Sequence, residues 1–194
     1  MSDERVQDGG GAVISRRRML RIGALAAAQM AIPGAAIARI LAPAPSRKLQ
    51  FYNLHTGESL RAVYWENGRY VSEELDRINF ILRDFRANEV KPIDRRLLDL
   101  LVTLQHRLGS SESYQVISGY RSPLTNAMLH SRSEGVAVHS LHIDGRAIDI
   151  RVPGRSLSQL HGAALAMHAG GVGYYPRSNF VHVDTGRPRW WNGA

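Results

Sequence analysis

His142, Asp149 and His182 are the residues of this chain best suited to hold a metal. They offer two imidazoles and a carboxylate, and the chain has no cysteine to compete with them. Two His and one carboxylate make a three-ligand zinc set with an open fourth position, the arrangement used for catalysis rather than for closed structural sites. His142 and Asp149 fall within Ser140-Leu-His-Ile-Asp-Gly-Arg-Ala-Ile-Asp149, a glycine turn that runs into an apolar strand. Asp149 lies between Ile148 and Ile150, where a carboxylate is costly to bury unless a cation or several hydrogen bonds accompany it. His182 sits in Phe180-Val-His-Val-Asp184, an alternating segment that puts Asp184 on the same face. The plainer reading of any single histidine is a satisfied core or surface side chain. His55, His106, His130, His161 and His168 are read that way. His139 and Ser140 are close enough to His142 to orient it or to sit beside the metal.

The elements that must position these groups are short. Leu49–Leu54 and Leu60–Trp65 read as strands, and Asn67-Gly68 is a hairpin turn leading to Arg69–Val71. Ser72 is the expected cap of a helix whose first turn carries Glu73 and Glu74 and whose apolar face is Leu75, Ile78, Ile81, Leu82 and Phe85. A second helix is expected from Asp94, with Leu97, Leu98, Leu101, Leu104 and Leu108 facing inward and Gly109 as its stop. Tyr114–Ser118 reads as a strand, and Ser122-Pro123 opens a short helix to about His130. A strand is expected over Arg146–Val152 and a helix over Ser156–Ala169. Gly171–Tyr175 and Asn179–Asp184 close as a hairpin around Pro176-Arg177-Ser178. Without a βαβ rhythm, this pattern predicts an α+β fold, a small antiparallel β-sheet flanked by helices. Trp190-Trp191 either packs over the core or lines a groove, and packing is favoured.

At 194 residues, with 44% hydrophobic and 22% charged residues, the chain suits one domain with a real core. The net charge of +8 is spread as scattered arginines rather than as a basic stripe with interleaved aromatics, which argues against nucleic acid and is compatible with an anionic polymer. Residues 1–38 have the layout of a secretory signal: Ser15-Arg16-Arg17-Arg18-Met19-Leu20-Arg21, then a short, weakly apolar run, then small residues. The paired arginines resemble a twin-arginine export signal. The run falls short of the about 18 apolar residues of a spanning helix. Cleavage after Ala38 is expected, with Ala42 and Ala44 as alternatives. Residues 39–48 are then a linker and 49–194 the working domain, in the periplasm and without a stable membrane anchor.

Ser140-x-His142-x-x-Gly145-x-Ala147-x-Asp149, preceded by Ser118-Gly119-Tyr120-Arg121-Ser122 and followed by His182, resembles the D-Ala-D-Ala-type zinc peptidases of the lysostaphin/hedgehog group. Within that group the likeness is greatest to the exported YcbK-like murein endopeptidases, over roughly Leu49 to Trp191. The resemblance implies a zinc metallopeptidase fold with His142, Asp149 and His182 as metal ligands. It implies that Arg121, with Tyr120 beside it, meets substrate carboxylate or the developing oxyanion. It also implies hydrolysis of a peptide bond in peptidoglycan cross-links during cell-wall remodelling. Many relatives carry a Glu or Asp three residues before the last ligand, or a His two before it, to handle the proton of the attacking water. Here those positions are Asn179 and Phe180, which cannot act as a base. Asp184 is the candidate base, with a ligand-orienting role as its alternative, and His139 is the reserve. A non-catalytic zinc- or murein-binding domain and a carboxypeptidase or amidase are the competing functions.

Overall fold

The computed structural model describes residues 46–133 and 135–193. The expected export signal, its cleavage site and the first part of the linker lie outside these residues. Twelve elements follow in order: β1 (Ser46–Asn53), β2 (Ser59–Glu66), β3 (Arg69–Tyr70), α1 (Ser72–Ile81), α2 (Arg95–Leu108), β4 (Tyr114–Ser118), α3 (Pro123–His130), β5 (Ala147–Arg151), α4 (Leu157–Leu165), β6 (Gly171–Tyr175), β7 (Phe180–Asp184) and β8 (Arg189–Asn192). All strands belong to one sheet in the order β3-β2-β1-β4-β5-β7-β6-β8.

The α+β class holds, and the sheet is larger than the small antiparallel one expected. Two of its neighbour pairs, β1 with β4 and β6 with β8, are parallel. A parallel pair needs a crossover, and α1 with α2 supplies the first one, α1 against β2 and α2 against β1. Strand β1 starts at Ser46, inside the expected linker, because it pairs with the full length of β2. β8 was not foreseen, since its partner β6 is set by long-range pairing rather than by alternation within Arg189–Asn192.

Local signals explain most of the remaining boundaries. Asn67 and Gly68 both have positive φ, as a two-residue hairpin turn requires. The cap of α1 is Val71 rather than Ser72, because the Val71 amide still donates to Tyr64 O at 2.9 Å and keeps that residue extended. Asp94 caps α2 by accepting from Arg96 N, and Gly109 ends it in the left-handed region. Ser156 closes a reciprocal capping box on α4. That helix ends at Leu165, before the expected Ala169, where the chain turns out through His168 at positive φ. Leu49, Phe51, Leu97, Leu98, Leu101, Leu104, Ile148, Ile150 and Val181 form the buried core between sheet and helices. Among the described residues no helix is long and apolar enough to cross a membrane.

Candidate metal centre

The site is built on a row of side chains that crosses the sheet. β5 and β7 are antiparallel with Asp149 opposite His182 and Ala147 opposite Asp184. On the far side of β7, His182 faces Gly173 of β6, and Gly173 pairs with Trp191 of β8. On the near side of β5, Asp149 pairs with Ser118 of β4. Trp191, Gly173, His182, Asp149 and Ser118 therefore lie side by side on five strands.

His142 reaches this row from the turn before β5. The turn is docked on the N-terminus of α2, with Asp94 N donating to Gly145 O at 2.9 Å. Gly145 has φ +66°, and a Cβ there would lie 2.6 Å from Pro92 O, so the motif glycine is required for both conformation and space. The result places His142 Nε2, Asp149 Oδ1 and His182 Nδ1 around one point, with separations of 3.2 Å between the imidazoles, 3.3 Å from His142 to Asp149 and 2.8 Å from His182 to Asp149. Ligands about 2 Å from a tetrahedral zinc stand roughly 3.3 Å apart. All three side chains are buried.

The outer atoms of both rings fix which nitrogens face inward. His142 Nδ1 lies 2.7 Å from Gly119 O, and His182 Nε2 lies 3.1 Å from Asp184 Oδ2. A carbonyl and an ionised carboxylate only accept, so these two nitrogens carry the protons and donate. His142 Nε2 and His182 Nδ1 then point bare lone pairs at each other and at the Asp149 carboxylate. Such a convergence needs a positive charge, either a metal or a shared proton. The donor set therefore fits a divalent cation with an N/N/O preference.

The electrostatics agree with that demand. Burial would raise the Asp149 pKa, but the two imidazoles hold it far below the usual carboxylate range. Burial lowers the His142 pKa, and Asp149 only partly opposes it. Burial also works against a charged His182, yet Asp149 and Asp184 on either side bring its pKa out above the ordinary value.

Asp184, completely buried, lies behind His182. Its carboxylate accepts from His182 Nε2, from Gly171 N and Gly186 N at 2.9 and 2.8 Å, and from both terminal nitrogens of Arg189 at 3.1 and 2.7 Å. These donors outweigh burial and keep it ionised well below the usual carboxylate range.

The centre forms the floor of a cleft of about 370 Å³. Arg121 lies on one side with its guanidinium 3.5 Å from Asp149 Oδ2, donating to Ser118 Oγ and Asn126 Oδ1. Its buried Nε has no partner among the described residues. Asn126 also donates to Ala137 O and Val138 O, tying the irregular segment before the motif to the arginine. His139 and Ser140 line the cleft, His139 exposed at its rim. Tyr120 does not line it. Its ring is buried beside Arg121's backbone and its hydroxyl donates to Glu89 Oε1, so the expected substrate contact is corrected.

The opposite wall is aromatic. Tyr175 and Phe180 stack at 4.4 Å, and Trp191 lies 5.1 Å from His182. The favoured packing of the tryptophan pair over the core is also corrected: Trp190 is 68% exposed and Trp191 lines the cleft. Tyr175 and Arg189 were missed by sequence reasoning. The need of Asp184 for a cationic partner was the available signal for Arg189, whereas nothing local marked Tyr175.

Sheet, buried His-Asp-His group and flanking arginine together make a cleft with a donor set that could hold a metal ion. Residues 42–191 match the family described as peptidoglycan L,D-endopeptidase MepK, and the chain belongs to that family. It is 49% identical over 177 residues to the peptidoglycan L,D-endopeptidase MepK of Escherichia coli K12, covering 91% of this chain and 97% of the relative. It is 39% identical over 181 residues to the probable peptidoglycan L,D-endopeptidase MepK of Haemophilus influenzae, covering 93% and 97%. No solved structure gives a significant match.

Proposed function

We propose that this chain is a zinc-dependent peptidoglycan endopeptidase that hydrolyses a peptide bond in stem-peptide cross-links, with the L,D specificity its relatives' names carry. The observation that supports it most is the convergence of His142 Nε2, Asp149 Oδ1 and His182 Nδ1 with both outer ring nitrogens anchored, at the floor of an open cleft. Zinc held there supplies a Lewis acid that makes water nucleophilic near neutral pH and polarises a carbonyl.

The chain's own residues divide the remaining work. Asp184 holds the tautomer and direction of His182, the orienting role rather than the base. Arg121 offers its free Nε–H and its fixed charge to a substrate oxygen beside Asp149. His139, exposed on the cleft rim with no hydrogen-bond partner among the described residues, takes the proton of the attacking water. The working place we propose is the periplasm, reached by the twin-arginine route and free of the membrane after cleavage; the signal-like layout of residues 1–38 and the peptidoglycan named for the relatives support it.

The test is digestion of purified sacculi and defined cross-linked muropeptides, read by mass spectrometry. Wild-type protein yields peptide–peptide cleavage, which His142→Ala and chelator-treated protein lose while remaining folded by circular dichroism. Undiminished hydrolysis in either would refute the reading, and sugar–peptide cleavage would make the chain an amidase instead.

A further inference from the structure

The aromatic wall holds a group to which the metal centre and Arg121 assign no role. Trp191 Nε1 lies 2.9 Å from Tyr175 Oη. An indole N–H only donates, so the phenol oxygen accepts and its own hydrogen must point elsewhere. Among the described residues that O–H has no acceptor, and Tyr175 lines the cleft. Arg121 and Tyr175, a charged and a neutral donor, thus line the same cleft as Asp149 and His182.

The surrounding structure holds the phenol in place. Gly173 lies between Trp191 and His182 in the cross-sheet row, and a Cβ there would be 2.7 Å from the indole. Its absence lets the indole lie over the strand with its N–H directed at Tyr175. Phe180 stacks on the Tyr175 ring. A donor fixed before substrate arrives loses little reorganisation energy when charge develops near it.

We propose that Tyr175 is a further catalytic residue of this site, donating a hydrogen bond to the scissile carbonyl oxygen as it becomes negative, and that Trp191 is the residue that positions it. The inference rests on the peptidase reading above. In that reaction the water oxygen bonds to the carbonyl carbon, the C–N bond breaks, and the water's proton ends on the leaving amine. The Tyr175 proton stays on the phenol throughout. Because the donor matches the tetrahedral oxygen better than the planar carbonyl, its effect falls on turnover rather than on substrate binding.

The experiment compares metal-loaded wild-type protein with Tyr175→Phe, Trp191→Phe and the double variant on a defined cross-linked muropeptide. Tyr175→Phe should lower kcat about 10²-fold, the scale of one lost oxyanion donor, with KM nearly unchanged. It should weaken binding of a phosphinic peptide that mimics the tetrahedral intermediate by a similar factor, read by calorimetry. Trp191→Phe should reproduce part of the kcat loss and add little in the double variant, since it acts through Tyr175. An active wild type with Tyr175→Phe at full kcat, or with KM raised and kcat intact, overturns this inference alone. Additive losses in the double variant overturn the positioning role of Trp191. An inactive wild type overturns the peptidase reading and this inference with it.

Discussion

His182 donates through Nε2 to Asp184 at 3.1 Å, the ring nitrogen opposite the Nδ1 that faces His142, so the carboxylate meets the ring on the side away from the other two ligand atoms. Asp184 is further engaged by two backbone amides and Arg189. A carboxylate so occupied holds a ligand in one tautomer. Asp184→Asn should therefore weaken metal binding by about 10–100-fold, measured by competition with a chromophoric chelator. Unchanged metal affinity with lost turnover would restore Asp184 as the base.

His139→Ala tests the complementary assignment. It should lower kcat by about 10²–10⁴-fold, the range of a general base, with metal content by atomic absorption unchanged. Full turnover in that variant would remove His139 from the mechanism.

Arg121 presents a planar fork to Ser118, Asn126 and Asp149. Lysine keeps the charge but lacks that geometry. Arg121→Lys should lose most of kcat/KM, about 10²-fold by analogy with loss of one charge-stabilising donor, in a steady-state muropeptide assay. Wild-type kinetics would show that charge alone suffices.

Gly145→Ala places a side chain at φ +66° and 2.6 Å from Pro92 O. The backbone strain costs on the order of 1–3 kcal/mol, and the turn that carries His142 must shift. A lower urea midpoint together with weakened metal binding is expected. A variant equal to wild type in both would show that the turn relaxes freely.

Asp84 anchors the residue after Arg121, its buried carboxylate accepting from Ser122 N at 2.9 Å and from Arg86 N at 3.0 Å. Burial opposes ionisation, but hydrogen bonds from Thr125, Ser122 and Arg86 leave its pKa below the usual carboxylate value. A carboxylate depressed in the folded state contributes stability that is complete above its unfolded pKa of about 3.9, and that is lost as pH falls through the folded value. Asp84→Asn should lower the melting temperature at pH 7 and reduce its fall between pH 5 and 2. Parallel wild-type and variant curves in calorimetry would contradict this.

Residue type and local spacing were enough to single out His142, Asp149 and His182, whereas Arg121 was marked only by the family resemblance of the Ser118–Ser122 run around it. The ten-residue motif contains its own turn glycine, and strand alternation puts Asp149 on a definite face. The hairpin at Asn67-Gly68 and the ends of α2 were legible for the same reason, since each depends on residues within one turn of the chain. Tyr120 was not, because neighbouring residues in the loop leaving β4 diverge, Arg121 into the cleft and Tyr120 onto Glu89. Asp184 shares the strand of His182, yet which side of the ring it meets depends on which imidazole nitrogen points at Asp149, and that is fixed by the hydrogen bonds the ring makes in the folded site. The aromatic wall needed most from the tertiary structure. Parallel pairing of β8 with β6 sets Trp191 beside Gly173, and only the missing side chain there brings the indole to Tyr175 and His182. Such pairing joins segments whose own sequences do not encode their partner, so it is decided by the packing of the whole sheet.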